Sequence, residues 1–126
     1  MNELLAKLVV SLEDMKIQLI NHLDDSYTTF IDGDHVELQM TDNLDSLLFQ
    51  VTDKVIVWGY ETKNIKADVI IKLIVYHIRG TIVFPYIDNE DDINTLLNLG
   101  FKEYDFKDDE LDDEYRINKS YILERA

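Results

Sequence analysis

The hydrophobic pattern opens with one long amphipathic helix. Between residues 2 and 24, apolar side chains recur at intervals of three and four and therefore fall on one stripe. The stripe consists of Leu4, Leu8, Leu12, Met15, Leu19 and Leu23. We expect this helix to pack on a sheet of its own chain. The alternative is a coiled coil with a second copy of the chain, for which the repeat is short.

The next segment predicts a β-hairpin. Residues 27–31 are rich in β-branched and aromatic side chains, which favour strands. Residues 35–40 alternate between polar and apolar. Asp32 and Gly33 stand between the two runs and form a strong turn signal, because glycine adopts positive φ without steric cost. The positions expected to face the core are Val36, Leu38 and Met40.

A second strand pair is predicted at residues 47–51 and 54–60, joined by a short polar turn. Residues 55–58 are continuously apolar, which is typical of a central strand that is covered on both faces.

Residues 63–79 carry conflicting signals. Their apolar positions fit two adjacent helical rows, whereas their many β-branched side chains disfavour a helix. The length of the run, with Asn64 as a start signal and Gly80 as a stop signal, favours a helix. Residues 81–87 then predict a strand, in which Pro85 indicates an edge or a bulge.

The sharpest local signal lies at residues 89–101. Asn89 and the acids that follow it suit the start of a helix, and Gly100 suits a left-handed C-terminal cap. Strands are expected at residues 101–106 and 115–123, on either side of an acidic loop. The helix positions expected to be buried are Ile93, Leu96, Leu97 and Leu99.

This order of elements indicates an α+β (mixed α/β) fold. We expect a central, mostly antiparallel sheet with helices on both faces. The length of 126 residues and the apolar content of 46% fit a single domain over residues 1–126 with a substantial core.

The charge balance restricts the classes of partner that the chain is expected to bind. Lys and Arg total 12 against 26 for Asp and Glu, a net charge of −14. Direct binding to nucleic acid is not expected, because phosphate contacts need basic residues. If the charge serves binding, the partner is basic: a cationic small molecule, a basic peptide or the basic surface of another protein. A solvated acidic surface without a partner also accounts for the charge. We expect the contact surface to consist of Asp105, Asp108, Asp109, Glu110, Asp112, Asp113 and Glu114.

Several kinds of chemistry find no support in the sequence. The chain has no Cys, so it has no disulfide, thiol nucleophile or Cys-ligated metal. His22, His35 and His77 lie far apart without the spacing of zinc ligands, and we expect no metal site. No apolar run is long enough for a membrane span, and the N-terminus does not look like a signal peptide, so we expect a cytoplasmic protein.

One motif suggests a family. Asn89, Ile93, Leu99, Gly100 and Phe101 keep the spacing N-x-x-x-I-x-x-L-x-x-L-G-F after a predicted helix and strand. This pattern resembles the C-terminal half of the Gcn5-related N-acetyltransferases, over roughly residues 54 to 123. The resemblance implies an acetyltransferase-like fold, with acetyl-coenzyme A as the cofactor if the site is active.

The resemblance also implies where a coenzyme would bind. In the family, backbone N–H groups at the start of the helix after the central strand cradle the pyrophosphate. Here Ile65 stands where the family has glycine, and Leu96 stands where it often has a tyrosine that protonates the leaving thiolate. The residues that the resemblance assigns to the cofactor are Lys63, Asn64, Lys66, Ala67 and Asn89.

Two functions follow as hypotheses. The first is a non-catalytic acidic interaction or inhibitor protein on a degenerate acetyltransferase-like fold, by analogy with accessory proteins of phages and mobile elements. The second is an acyl-CoA-dependent N-acetyltransferase that acts on a cationic amine, with Glu37 or Glu61 as a candidate base.

Overall fold

The computed structural model describes residues 3–22, 27–40, 46–60, 65–106 and 119–125. Its elements, in chain order, are α1 (Glu3–His22), β1 (Tyr27–Asp32), β2 (His35–Met40), β3 (Ser46–Val51), β4 (Val55–Gly59), α2 (Ala67–His77), β5 (Ile82–Ile87), α3 (Glu90–Asn98), β6 (Lys102–Tyr104) and β7 (Lys119–Leu123).

The strands form one seven-stranded sheet in the order β1-β2-β3-β4-β5-β7-β6. Every neighbouring pair is antiparallel except β4 and β5, which are parallel. The parallel pair arises because α2 carries the chain from the end of β4 back to the start of β5. The predicted α+β class and the mostly antiparallel sheet are therefore confirmed.

The three helices of the described chain all contribute to one core on one face of the sheet. This core joins Leu8 of α1, Ile74 of α2 and Leu96 of α3 to strand side chains such as Val57 and Phe84. The strand residues belong to alternating positions, so they point to the same face. The prediction of helices on both faces is wrong for the described helices.

The opposite face is covered by side chains instead of a helix. Ile56 of β4 packs there with Val83 of β5 and Ile122 of β7. Partly buried aromatic rings cover this small cluster: Trp58, Tyr104 and Phe106. The apolar run of β4 indicated that both faces are covered, but a run of this kind carries no information on what covers them.

The β1–β2 hairpin follows the prediction. Asp32 pairs with His35, and Gly33 has φ of 61°, as the turn requires. Val36 and Leu38 are fully buried. The side chain of Met40, like those of Leu19 and Leu23 in the helical stripe, lies outside the described part of the chain.

α2 forms in spite of its β-branched residues. Ile70, Ile71 and Ile74 are buried against the sheet, and tertiary packing of this kind outweighs a weak intrinsic propensity. The helix begins later than expected. Lys66 is its N-cap and makes no side-chain capping bond, while the predicted cap Asn64 lies outside the described residues.

The predicted irregularity of β5 is confirmed. The register between β5 and β7 shifts between Phe84 and Ile87, around Pro85. Tyr86 takes φ of 55°, a left-handed conformation that costs a non-glycine residue about 1–2 kcal/mol.

α3 has the predicted caps. Asn89 accepts a hydrogen bond at its side-chain oxygen from the backbone N–H of Asp92 (3.1 Å), and Gly100 has φ of 100°. Leu96 is buried as expected, but Leu97 is 47% exposed, which corrects the predicted buried face. The next residue along a helix is rotated by about 100° and therefore leaves that face.

One of the last two strands is shorter than predicted. The strand expected at residues 101–106 is limited to β6, and the described part of the closing strand is β7, from Lys119. Residues 115–118 of the expected closing strand, and the acidic loop before them, lie outside the described residues. None of the described helices has the length and apolar character that a membrane span requires.

Candidate functional site

The central parallel pair of strands separates after a short ladder and leaves a cleft. β4 and β5 are in register only at Val55 with Ile82 and at Ile56 with Val83. Beyond these pairs, β5 loses regular strand geometry at Pro85, which has no N–H to donate. The resulting cavity has a volume of about 310 Å³ and is lined by Ser46, Trp58, Gly59, Tyr60, Pro85, Tyr86, Ile87 and Asp88.

Three aromatic rings form the wall of this cleft and its support. Trp58 and Tyr86 line it, and Phe106 packs edge-on against both, at centroid distances of 5.6 Å and 5.7 Å. The centroids of Trp58 and Tyr86 are 6.3 Å apart. Such edge-to-face contacts add roughly 0.5–1.5 kcal/mol per pair to the apolar burial. The rings therefore brace one another.

Hydrogen bonds fix the polar ends of these rings. Trp58 donates from Nε1 to Oε1 of Gln50 (2.9 Å), and Tyr86 donates from its hydroxyl to the carbonyl oxygen of Phe106 (3.2 Å). The backbone N–H of Tyr86 donates to the buried hydroxyl of Ser120 (2.9 Å), which holds the left-handed turn in place. The wall is thus ordered before any ligand arrives.

The inner end of the cleft is tied to α3. The hydroxyl of Tyr60 donates to Oδ2 of Asp92 over 2.6 Å, and both residues are buried. The ring of Tyr60 also packs edge-on against Phe84, with the centroids 5.4 Å apart. This bond links the end of β4 to the first turn of α3, where a carboxylate is favoured by the helix dipole. Tyr60 is therefore a structural member of the cleft.

Asp88 contributes a carboxylate to the lining of the cleft. This residue is exposed, lines the cavity, and directly precedes the capped start of α3. The side-chain oxygen of Asn89 accepts the capping hydrogen bond of α3, so the structure assigns it a capping role, and its role in cofactor binding stays a prediction.

The other residues that the resemblance assigned to a cofactor are divided between described and undescribed parts of the chain. Lys66 is exposed at the start of α2, and Ala67 is half-buried at its first residue. Lys63 and Asn64 lie outside the described residues. Ile65, at the family's glycine position, is buried in the core on the helix side of the sheet, and Leu96 is fully buried there as well.

Little of the predicted acidic contact surface falls within the described chain. Asp105 is exposed, just after β6. The remaining members, Asp108, Asp109, Glu110, Asp112, Asp113 and Glu114, lie outside the described residues. Of the two candidate bases, Glu37 is half-buried on β2, and Glu61 lies outside the described residues.

Histidines do not assemble a metal centre in the described part of the chain. His35 contacts Oδ1 of Asp34 through Nδ1 (2.8 Å) at the hairpin turn. No group of three or more His, Asp or Glu side chains among the described residues is arranged to hold a metal ion.

The sequence interpretation missed the cleft itself. Trp58 belongs to the apolar run that was predicted to be covered on both faces, and neither Tyr86 nor Asp88 is among the predicted cofactor- or partner-binding residues. One signal was available in the sequence: Pro85 interrupts a predicted strand and has an aromatic residue on either side. What no local pattern indicates is that these two strands are adjacent and parallel.

Comparisons with known proteins do not extend this description. No protein-family model matches the chain, and neither a curated protein nor a solved structure matches it.

Proposed function

We propose that the chain is a non-catalytic binding protein whose cleft receives a basic segment of a partner protein. The observation that carries this proposal is the lining of the cleft by Trp58, Tyr86 and Asp88 in a chain of net charge −14. Aromatic faces attract ammonium and guanidinium groups by about 0.5–2 kcal/mol. A carboxylate beside them adds a charge-assisted hydrogen bond.

The overall charge supports the same class of partner. A net charge of −14 raises the local concentration of a basic segment and speeds its approach. Asp105 and the acidic segment at residues 107–114 are part of this proposed surface, in a cytoplasmic setting. They would steer the partner, whereas the cleft would hold it.

The positions of two residues favour binding over acyl transfer. Leu96 has no proton to give to a leaving thiolate, and its side chain is fully buried. Tyr60, the buried tyrosine of the cleft, donates its hydroxyl proton to Asp92, so this proton is engaged in a hydrogen bond within the protein.

The proposal is tested through the fluorescence of Trp58, the single tryptophan of the chain. A lysine- and arginine-rich peptide is expected to change this fluorescence saturably. Asp88→Asn should weaken binding about three- to tenfold, which corresponds to about 0.7–1.4 kcal/mol. Asp14→Asn removes the same charge from an exposed position on α1 and should leave the affinity nearly unchanged.

Two results would count against the cleft. Equal weakening by both variants would mean that only net charge matters. Peptide binding without any change in Trp58 fluorescence would place the interface elsewhere, and the acidic segment at residues 107–114 would then be probed with Asp109→Lys and Asp112→Lys together.

The acetyltransferase is retained as the second candidate because of one observation. The N-terminus of α2 has no side-chain cap and carries the exposed Lys66, a combination that suits a bound phosphate. Millimolar acetyl-coenzyme A should then raise the melting temperature by mass action, and Lys66→Ala should reduce the shift. No shift at all would remove this candidate. Ile65→Gly is a poor test, because Ile65 is buried in the core.

A further inference from the structure

β1 forms one edge of the sheet in the described part of the chain, and Glu13 of α1 contacts it there by accepting a hydrogen bond from the hydroxyl of Thr29 (3.3 Å). Its inner side pairs with β2, and no other described strand pairs with it. Edge strands commonly avoid association through Lys, Pro or a bulge. β1 has none of the three. Phe30 and Ile31 are 52% and 44% exposed, on opposite faces of the strand.

The neighbouring strands determine which backbone groups point outward. The carbonyl oxygen of Asp34 accepts from the backbone N–H of Val51 in β3 (2.8 Å). Backbone groups alternate in direction along a strand, so those of His35 point toward β1. The backbone groups of its partner Asp32 point toward β2, because Asp32 and His35 form the hydrogen-bonded pair that closes a two-residue hairpin.

Thr29 and Ile31 therefore present their N–H and C=O groups to the open edge. Alternation places the groups of Phe30 and Asp32 toward β2 and those of Thr29 and Ile31 away from it. An added strand must hydrogen-bond to these two residues.

We infer that β1 pairs with β1 of a second copy in antiparallel orientation, about a two-fold axis that passes beside Phe30. In this register Thr29 of each copy forms the hydrogen-bonded pair with Ile31 of the other. Phe30 then faces Phe30 of the second copy in a non-hydrogen-bonded pair, where side chains approach most closely. The two seven-stranded sheets become continuous.

The occupant is a second copy because the edge is self-complementary and has no charged residue at its centre, between Thr29 and Ile31. An isologous contact needs the same surface on both partners, and two antiparallel copies of β1 provide the same donors and acceptors to each other. Residues 27–31 carry no charge in a chain of net charge −14. Asp32 of each copy lies opposite Thr28 of the other, so the two Asp32 residues are about 13 Å apart along the strands. Salt should strengthen the contact by screening these and the remaining acidic charges.

The first test is sedimentation of the full chain at 0.1 M and 0.5 M salt. We expect about twice the chain mass of 14.8 kDa, with the dimer favoured at the higher salt. Phe30→Lys should give the monomer mass. Tyr76→Lys makes the same change at another exposed aromatic residue, on α2, and should remain dimeric. A monomeric wild-type chain, or a dimer that survives Phe30→Lys, would overturn the inference.

The second test determines the register in which the two β1 strands pair. The chain has no Cys, so a single introduced Cys forms a disulfide only between copies. Opposed residues of a non-hydrogen-bonded pair have Cα atoms about 4.5 Å apart, within the range of a disulfide. Phe30→Cys should cross-link rapidly on oxidation. Thr28 lies on the same face, but the Thr28 residues of the two copies are about 13 Å apart along the strands. Thr28→Cys should therefore not cross-link.

Equal cross-linking at positions 28 and 30 would indicate random collision and overturn the inference, as would cross-linking at position 28 alone. These results are independent of the cleft. Salt is expected to strengthen the dimer and to weaken the binding of a basic peptide, so the two proposals fail separately.

Discussion

Arg125 ties the last described residues of the chain to the end of α2. Its guanidinium donates to the carbonyl oxygens of Val75 (3.1 Å), Ile78 and Gly80 (3.2 Å). Carbonyls at a helix C-terminus lack partners within the helix, and an arginine side chain can satisfy several at once. Burial lowers the pKa of Arg125, and the nearby charge of Arg79 lowers it further.

Replacing Arg125 should therefore cost more than its position near the chain end suggests. Arg125→Met keeps the apolar stem and removes every donor, so we expect the free energy of unfolding to fall by about 1–3 kcal/mol. Urea denaturation measures this loss. Arg79→Met changes an exposed arginine close by and should stay within about 0.5 kcal/mol of the wild type. Equal losses would mean that the carbonyl contacts contribute nothing.

A chain of polar side chains links β3 and β4 to the turn of the β1–β2 hairpin. Gln50 accepts from the indole of Trp58 and donates from Nε2 to Oδ2 of Asp34 (3.1 Å). The hydrogen bond from Gln50 lowers the pKa of Asp34, and the neighbouring His35 lowers it further. A depressed carboxyl pKa stabilises the fold above the unfolded-state pKa, and this contribution is lost as the pH falls through the folded-state pKa.

Gln50→Leu should accordingly raise the pKa of Asp34 toward its ordinary value. A titration followed by carboxyl-carbon NMR measures the change. Asp53 serves as an internal control, because its pKa is lowered by the hydrogen bond from Lys54 and then by Thr52, neither of which is altered. The variant's loss of stability should also shrink as the pH falls below the ordinary carboxyl range. An unmoved Asp34 pKa would contradict the assigned cause.

At the scale of single elements, the end of α3 depends on backbone conformation more than on space. Gly100 has φ of 100°, and a Cβ added there would meet only Cδ1 of Leu123, at an ordinary contact distance of 3.6 Å. The backbone N–H of Phe101 donates to the carbonyl of Leu96 (3.0 Å), which closes the helix end.

Gly100→Ala should therefore destabilise the fold by about 1–2 kcal/mol through backbone strain alone. Gly59→Ala is the matched control: its Cβ would also have 3.6 Å to the nearest atom, on Leu48, but its φ is not positive. Thermal unfolding of both variants separates the two causes. A loss at Gly59 as large as that at Gly100 would indicate crowding instead of strain.

Elements whose signals are local could be predicted from the sequence. The hairpin turn at Gly33, the helix cap at Asn89 and the bulge around Pro85 all depend on residues within a few positions of one another. Leu97 was wrongly expected to be buried, because the type of a residue beside a buried stripe does not show whether its side chain faces the core or solvent.

Features made by distant residues could not be predicted in the same way. The cleft needs Trp58 and Tyr86 to become neighbours, which depends on the parallel pairing of β4 with β5. Asn89 forms the predicted helix cap, and its assignment to a cofactor stays a prediction. The placement of all three helices on one face is also a property of the assembled sheet.

At the scale of the whole molecule, charge should govern the rate of association. With a net charge of −14, the association rate constant for a basic peptide should fall at least tenfold between about 0.05 M and 0.5 M salt. Stopped-flow fluorescence of Trp58 measures it. Asp88→Asn should mainly raise the dissociation rate and leave the salt slope nearly unchanged, since steering comes from the whole surface. A salt-independent rate would contradict electrostatic steering.

The short seam between β4 and β5 has a consequence for how the sheet is assembled. β1 to β4 form a meander of strands adjacent in sequence, whereas β5, β6 and β7 form a second antiparallel group, which the parallel ladder joins to the first at two residue pairs. Contacts between sequence neighbours form faster than distant ones. The meander should therefore fold early and the seam close late, so that the cleft takes shape only as the two halves of the sheet come together.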